Sequence, residues 1–295
     1  MHWTSTTVLF AIAFGGVVGF LSGMFGIGGG FLLVPLLNAL LGVPMPTAIG
    51  STACYTLGPA TTAMLARRPT AGFIELPLIL SGGMFAGVLS GTYAIAHLKV
   101  LPKLNVFGRA LPAVDLIVLT SYAALMMTIF VVSLTDALRR SASERTRRKG
   151  LLSSWLLPPV AEIPDLHPGR YSIVLLAGTG YAVGVLSGFL GMSGGLVLIP
   201  ATVFLLGLQV HDAATVTIVT VWLVSLQATV MHGLHRHIDL LLVLSLLVSG
   251  TLGARLGTEV GMRLPGRQLK IGFSLLVFSA STIVVLRLAE LWIDA

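Results

Sequence analysis

Apolar residues come in long blocks along this chain, and polar residues gather between them. The blocks predict helical segments at 5–25, 31–42, 47–66, 73–97 and 112–137, then at 172–191, 196–207, 212–233, 238–262 and 268–289. Most are long enough to cross the ~30 Å hydrocarbon layer of a bilayer at about 1.5 Å per residue. Segments 31–42 and 196–207 are not, since 12 residues reach only about 18 Å as helix. Each completes a crossing only together with the glycine-rich stretch before it. No Asp, Glu, Lys or Arg occurs in the first 66 residues. The pattern is that of an all-α polytopic membrane protein.

The two sets of segments are copies of each other. At a constant offset of 165 residues, Gly15, Gly19, Leu21, Ser22, Gly23, Gly26, Gly29, Gly30, Leu33 and Pro35 recur as Gly180, Gly184, Leu186, Ser187, Gly188, Gly191, Gly194, Gly195, Leu198 and Pro200. Leu41–Gly42 and Thr52 recur as Leu206–Gly207 and Thr217. After a one-residue slip, Gly87 and Gly91 correspond to Gly253 and Gly257 in the fourth segments. The chain therefore divides into a first transmembrane repeat, 1–137, a basic linker, 138–170, and a second repeat, 171–295.

Within the duplicated stretch, two glycine patterns call for different physics. Gly15, Gly19 and Gly23, like Gly180, Gly184 and Gly188, are spaced four apart, which puts them on one helix face where another backbone can approach. The same spacing is compatible with a homodimer interface. Gly28, Gly29 and Gly30, by contrast, are consecutive, and glycine costs a helix about 1 kcal/mol per residue against alanine. The helix should break here, and in a bilayer unwound backbone survives only where protein or a polar cavity surrounds it. The amides after each break, around Gly30–Leu33 and Gly195–Leu198, lie at a helix N-terminus and suit an anion.

Charge adds an orientation. Hydrophobic residues make up 55% of the chain and charged ones 10%, with a mean hydropathy of +0.96. The net charge of +7 reads as a topology signal, since loop Lys and Arg favour the cytoplasm. In a parallel 4+4 arrangement, with the short segments dipping in and returning, ten loop Lys and Arg lie inside and six outside. An inverted 5+5 arrangement gives twelve inside and four outside, and is preferred. It places linker 138–170, with Arg139, Arg140, Arg145, Arg147, Arg148 and Lys149, in the cytoplasm. Nucleic-acid binding is the weaker reading of that run. The N-terminus lacks the basic region of a signal peptide, so the first apolar run reads as a mature span.

Candidate ligand groups follow from the breaks. They are Ser22, Gly26, Gly28, Gly29 and Gly30 in the first copy and Ser187, Gly191, Ser193, Gly194 and Gly195 in the second, with Ser51, Thr52 and Thr217 on the third segments. Thr52 and Thr217 rank first because both copies carry them. The plainer expectation is that such hydroxyls bond their own i−4 carbonyls. Tyr55, Trp222 and Gln227 are weaker cavity candidates. Arg255 and Glu259 are i, i+4 neighbours inside a span and possible coupling groups, intramembrane charge being a functional hypothesis by default. Their copy-one positions are Leu89 and Tyr93. A single cysteine, Cys54, excludes an internal disulfide, and His232, His235 and His237 resemble a metal site only superficially. No metal and no cofactor is expected. Without a Walker-type sequence or an acid–base set in the spans, neither an ATPase nor another enzyme is indicated.

The paired Leu-Ser-Gly-x2-Gly-x-Gly-Gly-Gly and Leu-Ser-Gly-x2-Gly-x-Ser-Gly-Gly motifs, each followed by proline, resemble the TauE/SafE sulfite-exporter family of bacterial permeases. The resemblance spans most of the chain. It implies a multi-pass protein of the bacterial inner membrane that carries sulfite, sulfoacetate, thiosulfate or another organosulfonate. It maps the family motif onto Ser22, Gly23, Gly26, Gly28, Gly29, Gly30 and Pro35, and onto Ser187, Gly188, Gly191, Ser193, Gly194, Gly195 and Pro200. Ser193 departs from the glycine at Gly28, which makes the two half-sites unequal. The reading is a secondary transporter working by alternating access on the proton-motive force. An uncoupled anion channel or a non-transporting component of a membrane assembly are the alternatives.

Overall fold

Ten helices carry the fold in a computed structural model that describes residues 5–98, 104–106, 109–111, 113–139, 150–151, 155, 157–163, 170–190 and 194–293. They are α1 (Ser5–Phe25), α2 (Gly30–Leu41), α3 (Met45–Arg67), α4 (Gly72–Leu98), α5 (Ala113–Arg139), α6 (Ile173–Leu190), α7 (Gly195–Ala201), α8 (Val210–Leu234), α9 (Leu240–Arg263) and α10 (Gly266–Ile293). A π-helical turn, Thr202–Leu206, prolongs α7. All ten fall on the segments expected from the hydrophobic blocks.

Six of the helices, α1, α4, α6, α8, α9 and α10, are long and apolar enough to cross a membrane. Their outward faces are apolar, with Leu9, Phe10 and Val17 on α1 and Leu244, Val248, Leu252 and Leu256 on α9 exposed. Soluble proteins rarely show contiguous apolar surface of this extent. The 23-residue α3 is long enough but less apolar, because its inward face carries Ser51, Thr52 and Thr56.

The packing repeats when the two copies are exchanged. Helix α1 lies along α9, and α6 lies along α4. The glycine stripes make both contacts: a Cβ on Gly15, Gly19 or Gly23 would run into the carbonyls of Leu246, Gly250 and Ala254. In the other pair, Gly180, Gly184 and Gly188 press on the carbonyls of Leu80, Met84 and Val88. Rising residue numbers meet rising numbers, so both pairs run parallel. The counterparts α3 and α8 run antiparallel where they touch, since Arg67 reaches Thr215, Thr61 meets Trp222 and Gly50 lies against His232. The counterparts α5 and α10 do the same, joining Asp136 to Lys270 and Phe130 to Phe278.

Two short antiparallel hairpins stand beside the helices, β1 (Leu104–Val106) with β2 (Arg109–Leu111), and β3 (Val160–Glu162) with β4 (Arg170–Ser172). The hydrophobic pattern did not signal either. The second straddles the end of the stretch read as linker, and Ile163 and Tyr171 are buried there in an apolar cluster that joins Leu76 and Leu80 of α4 to Leu198 and Val216 of the second repeat. Burial pushes the Tyr171 phenol well above its ordinary pKa, with Asp212 adding to the shift. The amide of Leu151 donates to the Phe204 carbonyl. Leu151 and Ile163 of the linker thus touch the helices, whereas its basic run 140–149 lies outside the described residues.

Candidate substrate site

Helix α1 ends where the glycines begin. The Gly26 amide still donates to the Ser22 carbonyl, and the chain then unwinds through Ile27 and Gly28. Gly29 takes a left-handed conformation, φ 69°, and Gly194 matches it at φ 74°. That conformation costs any other residue type, and space is short as well. A Cβ on Gly29 would lie 2.8 Å from Val18 Cγ1, and one on Gly194 would lie 2.6 Å from Met84 Cε. Pro35 sits in the second turn of α2, where its missing amide leaves the Phe31 carbonyl without a helical donor. The Tyr122 hydroxyl donates to that carbonyl instead, at 2.9 Å.

The fold brings the two breaks together. Gly195, at the start of α7, lies against the Ile27 carbonyl from the first break. Gly26 lies against the Ala214 carbonyl of α8, and Gly195 also meets Val221 on the same helix. Thr217 sits between Ala214 and Val221 on the α8 face that both breaks touch. On α3, the Thr56 hydroxyl donates to the Gly28 carbonyl at 3.0 Å, and Thr52 lies one turn before it.

The hydroxyls around this junction are unusual for membrane helices. Thr61, Thr62, Thr128, Thr179, Thr215, Thr220, Thr229, Thr251 and Thr258 all donate to their own i−4 carbonyls. Thr52 and Thr217, the pair matched between copies, do not. Their hydroxyls and that of Ser22 are fully buried and without a hydrogen-bond partner among the described residues. Native structures hold few such groups, each costing about 1–3 kcal/mol. Donors kept dry and unpaired beside two broken helices are suited to a polar ligand.

The other expected residues are placed less centrally. Ser51 accepts from the Asp239 amide at 2.9 Å and serves the corner into α9, which Asp239 caps through Leu241 and Leu242. Ser187 is buried beside Gly194 and has a partner of its own. Gly191 and Ser193 lie outside the described residues. Of the amides expected to be free, Gly30 donates to the Gly28 carbonyl, and Leu32 and Leu33 both turn to the Gly29 carbonyl. Val197 and Leu198 likewise turn to the Gly194 carbonyl. The hydroxyls are therefore the clearer donors. Arg255 and Glu259 pair at 3.5 Å with side chains 72% and 45% exposed, on the side of α9 away from α1. Tyr55 is fully buried and donates to the Gly15 carbonyl, while Trp222 donates to Thr61. Among the described residues, no group of three or more metal-ligating side chains comes together.

Two sets of charged residues went unnoticed in the sequence. Arg67 closes α3 and turns inward, its guanidinium reaching the Gly23 and Met24 carbonyls at the end of α1 and the Thr215 hydroxyl. Its copy-two position is His232, a correspondence the 165-residue offset made readable. Asp136 and Lys270 form a 2.7 Å ion pair between α5 and α10, with side chains only 11% and 22% exposed. Asp136 lies near the end of α5 and Lys270 near the start of α10, and only the pairing of those two helices brings them together.

Comparison with known proteins agrees with this architecture. The sulfite exporter TauE/SafE family matches residues 11–283. The chain belongs to the TauE/SafE sulfite exporter family. Two "probable membrane transporter proteins" from two strains of Xylella fastidiosa are similar to it, at 23% and 24% identity over 292 residues. Each alignment covers 96% of this chain and 97% of the relative. No solved structure matches the chain. The protein is a multi-pass membrane transporter, and the paired glycine breaks fall inside the family match.

Proposed function

We propose that this chain is a secondary transporter for a small sulfur-containing anion such as sulfite, thiosulfate, sulfoacetate or another organosulfonate. It works in a bacterial inner membrane, by alternating access, on the proton-motive force. The anion binds where the two breaks converge, at the hydroxyls of Ser22, Thr52 and Thr217. The observation that carries this reading is that those hydroxyls are buried without partners while neighbouring threonines are satisfied within their helices. Neutral donors in a dry site hold an oxyanion strongly without a full counter-charge.

The two repeats are inverted and cross five times each. Support comes from the antiparallel contacts of α3 with α8 and of α5 with α10. A charge count of twelve basic loop residues inside against four outside agrees with the positive-inside rule. Inverted repeats with broken helices at their interface recur in secondary transporters. Linker 138–170 is then cytoplasmic.

The test is uptake of radiolabelled sulfite, thiosulfate, sulfoacetate and methanesulfonate into proteoliposomes holding the purified protein. Ser22→Ala, Thr52→Val and Thr217→Val run beside it. Saturable uptake that each hydroxyl deletion weakens supports the site. Absence of uptake for all four anions refutes the substrate class. Uptake untouched by all three variants moves the site elsewhere.

A further inference from the structure

Arg67 brings a positive charge to the first break, and no carboxylate among the described residues pairs with it. Its Nη2 donates to the Gly23 and Met24 carbonyls at 3.3 and 3.5 Å, and its Nη1 to the Thr215 hydroxyl at 3.4 Å. All three contacts are long for N–H···O bonds, which usually span about 2.7–3.2 Å. The Nε–H is buried and has no partner among the described residues. Helices α1 and α3 contain no Asp or Glu. On α8, Asp212 acts on Tyr171, and on α9 the exposed Glu259 faces Arg255. Glu75, in the first turn of α4, is exposed.

Part of this arrangement has a structural reason. Helix α1 stops at the break, so the Gly23 and Met24 carbonyls lack the donors of a further turn. A cation there also suits the negative end of the helix. Capping leaves the Nε–H and the missing counter-charge unexplained, and both are costly in a buried setting. An oxyanion answers both at once. The position is that of the unpaired hydroxyls: Gly23 follows Ser22, and Thr215 lies two residues before Thr217. Gly26 of the first break packs on Ala214, the neighbour of Thr215.

We propose that Arg67 is the charge-selecting residue of the transport site, its guanidinium pairing with an oxyanion on the α8 side of the first break. This rests on the transport reading above and adds to it what the ligand's charge is recognised by. Hydroxyls alone accept an oxygen-rich ligand whether or not it is charged. A guanidinium favours a negative charge, and favours a second one more. Its planar fork also matches two oxygens of a sulfonate. In the second copy the equivalent residue is His232, and the equivalent of Thr215 is Gly50. Those two also lie against each other, so the position is duplicated while the guanidinium belongs to one copy.

The experiment measures binding of methanesulfonate, a monoanion, and thiosulfate, a dianion, to purified full-length protein in detergent. Calorimetric titrations at fixed pH and ionic strength compare the parent with Arg67→Gln and Arg67→Lys, and unfolding without ligand is followed alongside. Arg67→Gln should raise the dissociation constant of methanesulfonate about tenfold, and that of thiosulfate by more. Arg67→Lys keeps a cation for the α1 carbonyls and guards against misfolding. It should still weaken both anions by about threefold, because an ammonium lacks the fork. Parental dissociation constants in either folded variant overturn the role, leave the transport reading standing and make Arg67 a helix cap. An equal rise for both anions in Arg67→Gln also overturns it, because general damage to the site is blind to ligand charge. If the parent binds neither anion, the proposed ligand class fails and the charge selection falls with it.

Discussion

Replacing Thr217 by valine should make the protein more stable and less active at once. Valine keeps the β-branched shape, so the rotamer and the α8 surface change little. What is lost is a hydroxyl that is fully buried and has no partner among the described residues. An unsatisfied buried polar group costs about 1–3 kcal/mol, so unfolding in detergent should become harder by about 1 kcal/mol or more. Thr220→Val is the control. Its hydroxyl donates to the Val216 carbonyl at 2.8 Å, so no such gain is expected and transport should survive. The assay pairs denaturant unfolding of purified protein with proteoliposome uptake. If Thr217→Val destabilises the fold by more than about 1 kcal/mol, the hydroxyl has a structural partner after all. If stability rises and uptake is unchanged, the residue is idle, and the case for a site at the breaks collapses.

Three further predictions use the same two measurements. Lys270→Met alone should cost more stability than Asp136→Leu/Lys270→Met, because it removes the ammonium 2.7 Å from the largely buried Asp136 carboxylate; equal losses in both would contradict burial of the pair. Tyr122→Phe should cost about 1 kcal/mol, since the Phe31 carbonyl has no helical donor at Pro35 and depends on the 2.9 Å bond from Tyr122. Arg255→Ala/Glu259→Ala, which removes both members of a pair on the outward face of α9 and so leaves no lone charge facing the bilayer, should leave uptake intact, and a transport defect would return that pair to the mechanism.

Several features of this protein were legible one residue at a time. The helical segments, the duplication, the breaks at Gly28–Gly30 and Gly194–Gly195, and the ranking of Thr52 with Thr217 follow from hydrophobic periodicity, a fixed offset and the conformational cost of glycine. These are local properties, and periodicity and backbone preference act within a few turns of chain. Tertiary structure decided which partners those local elements find. Ser51 and Thr52 are adjacent in sequence, yet Ser51 accepts from Asp239 and Thr52 is left unpaired. Thr217 and Thr220 lie on one helix, and only Thr220 bonds its own backbone. The pairing of Asp136 with Lys270 spans 134 residues, and nothing near either residue announces it. Hydrogen bonds and buried ion pairs are short-ranged and directional. Their partners are set by how α1 packs on α9 and α5 on α10, which a pattern read along the chain does not contain.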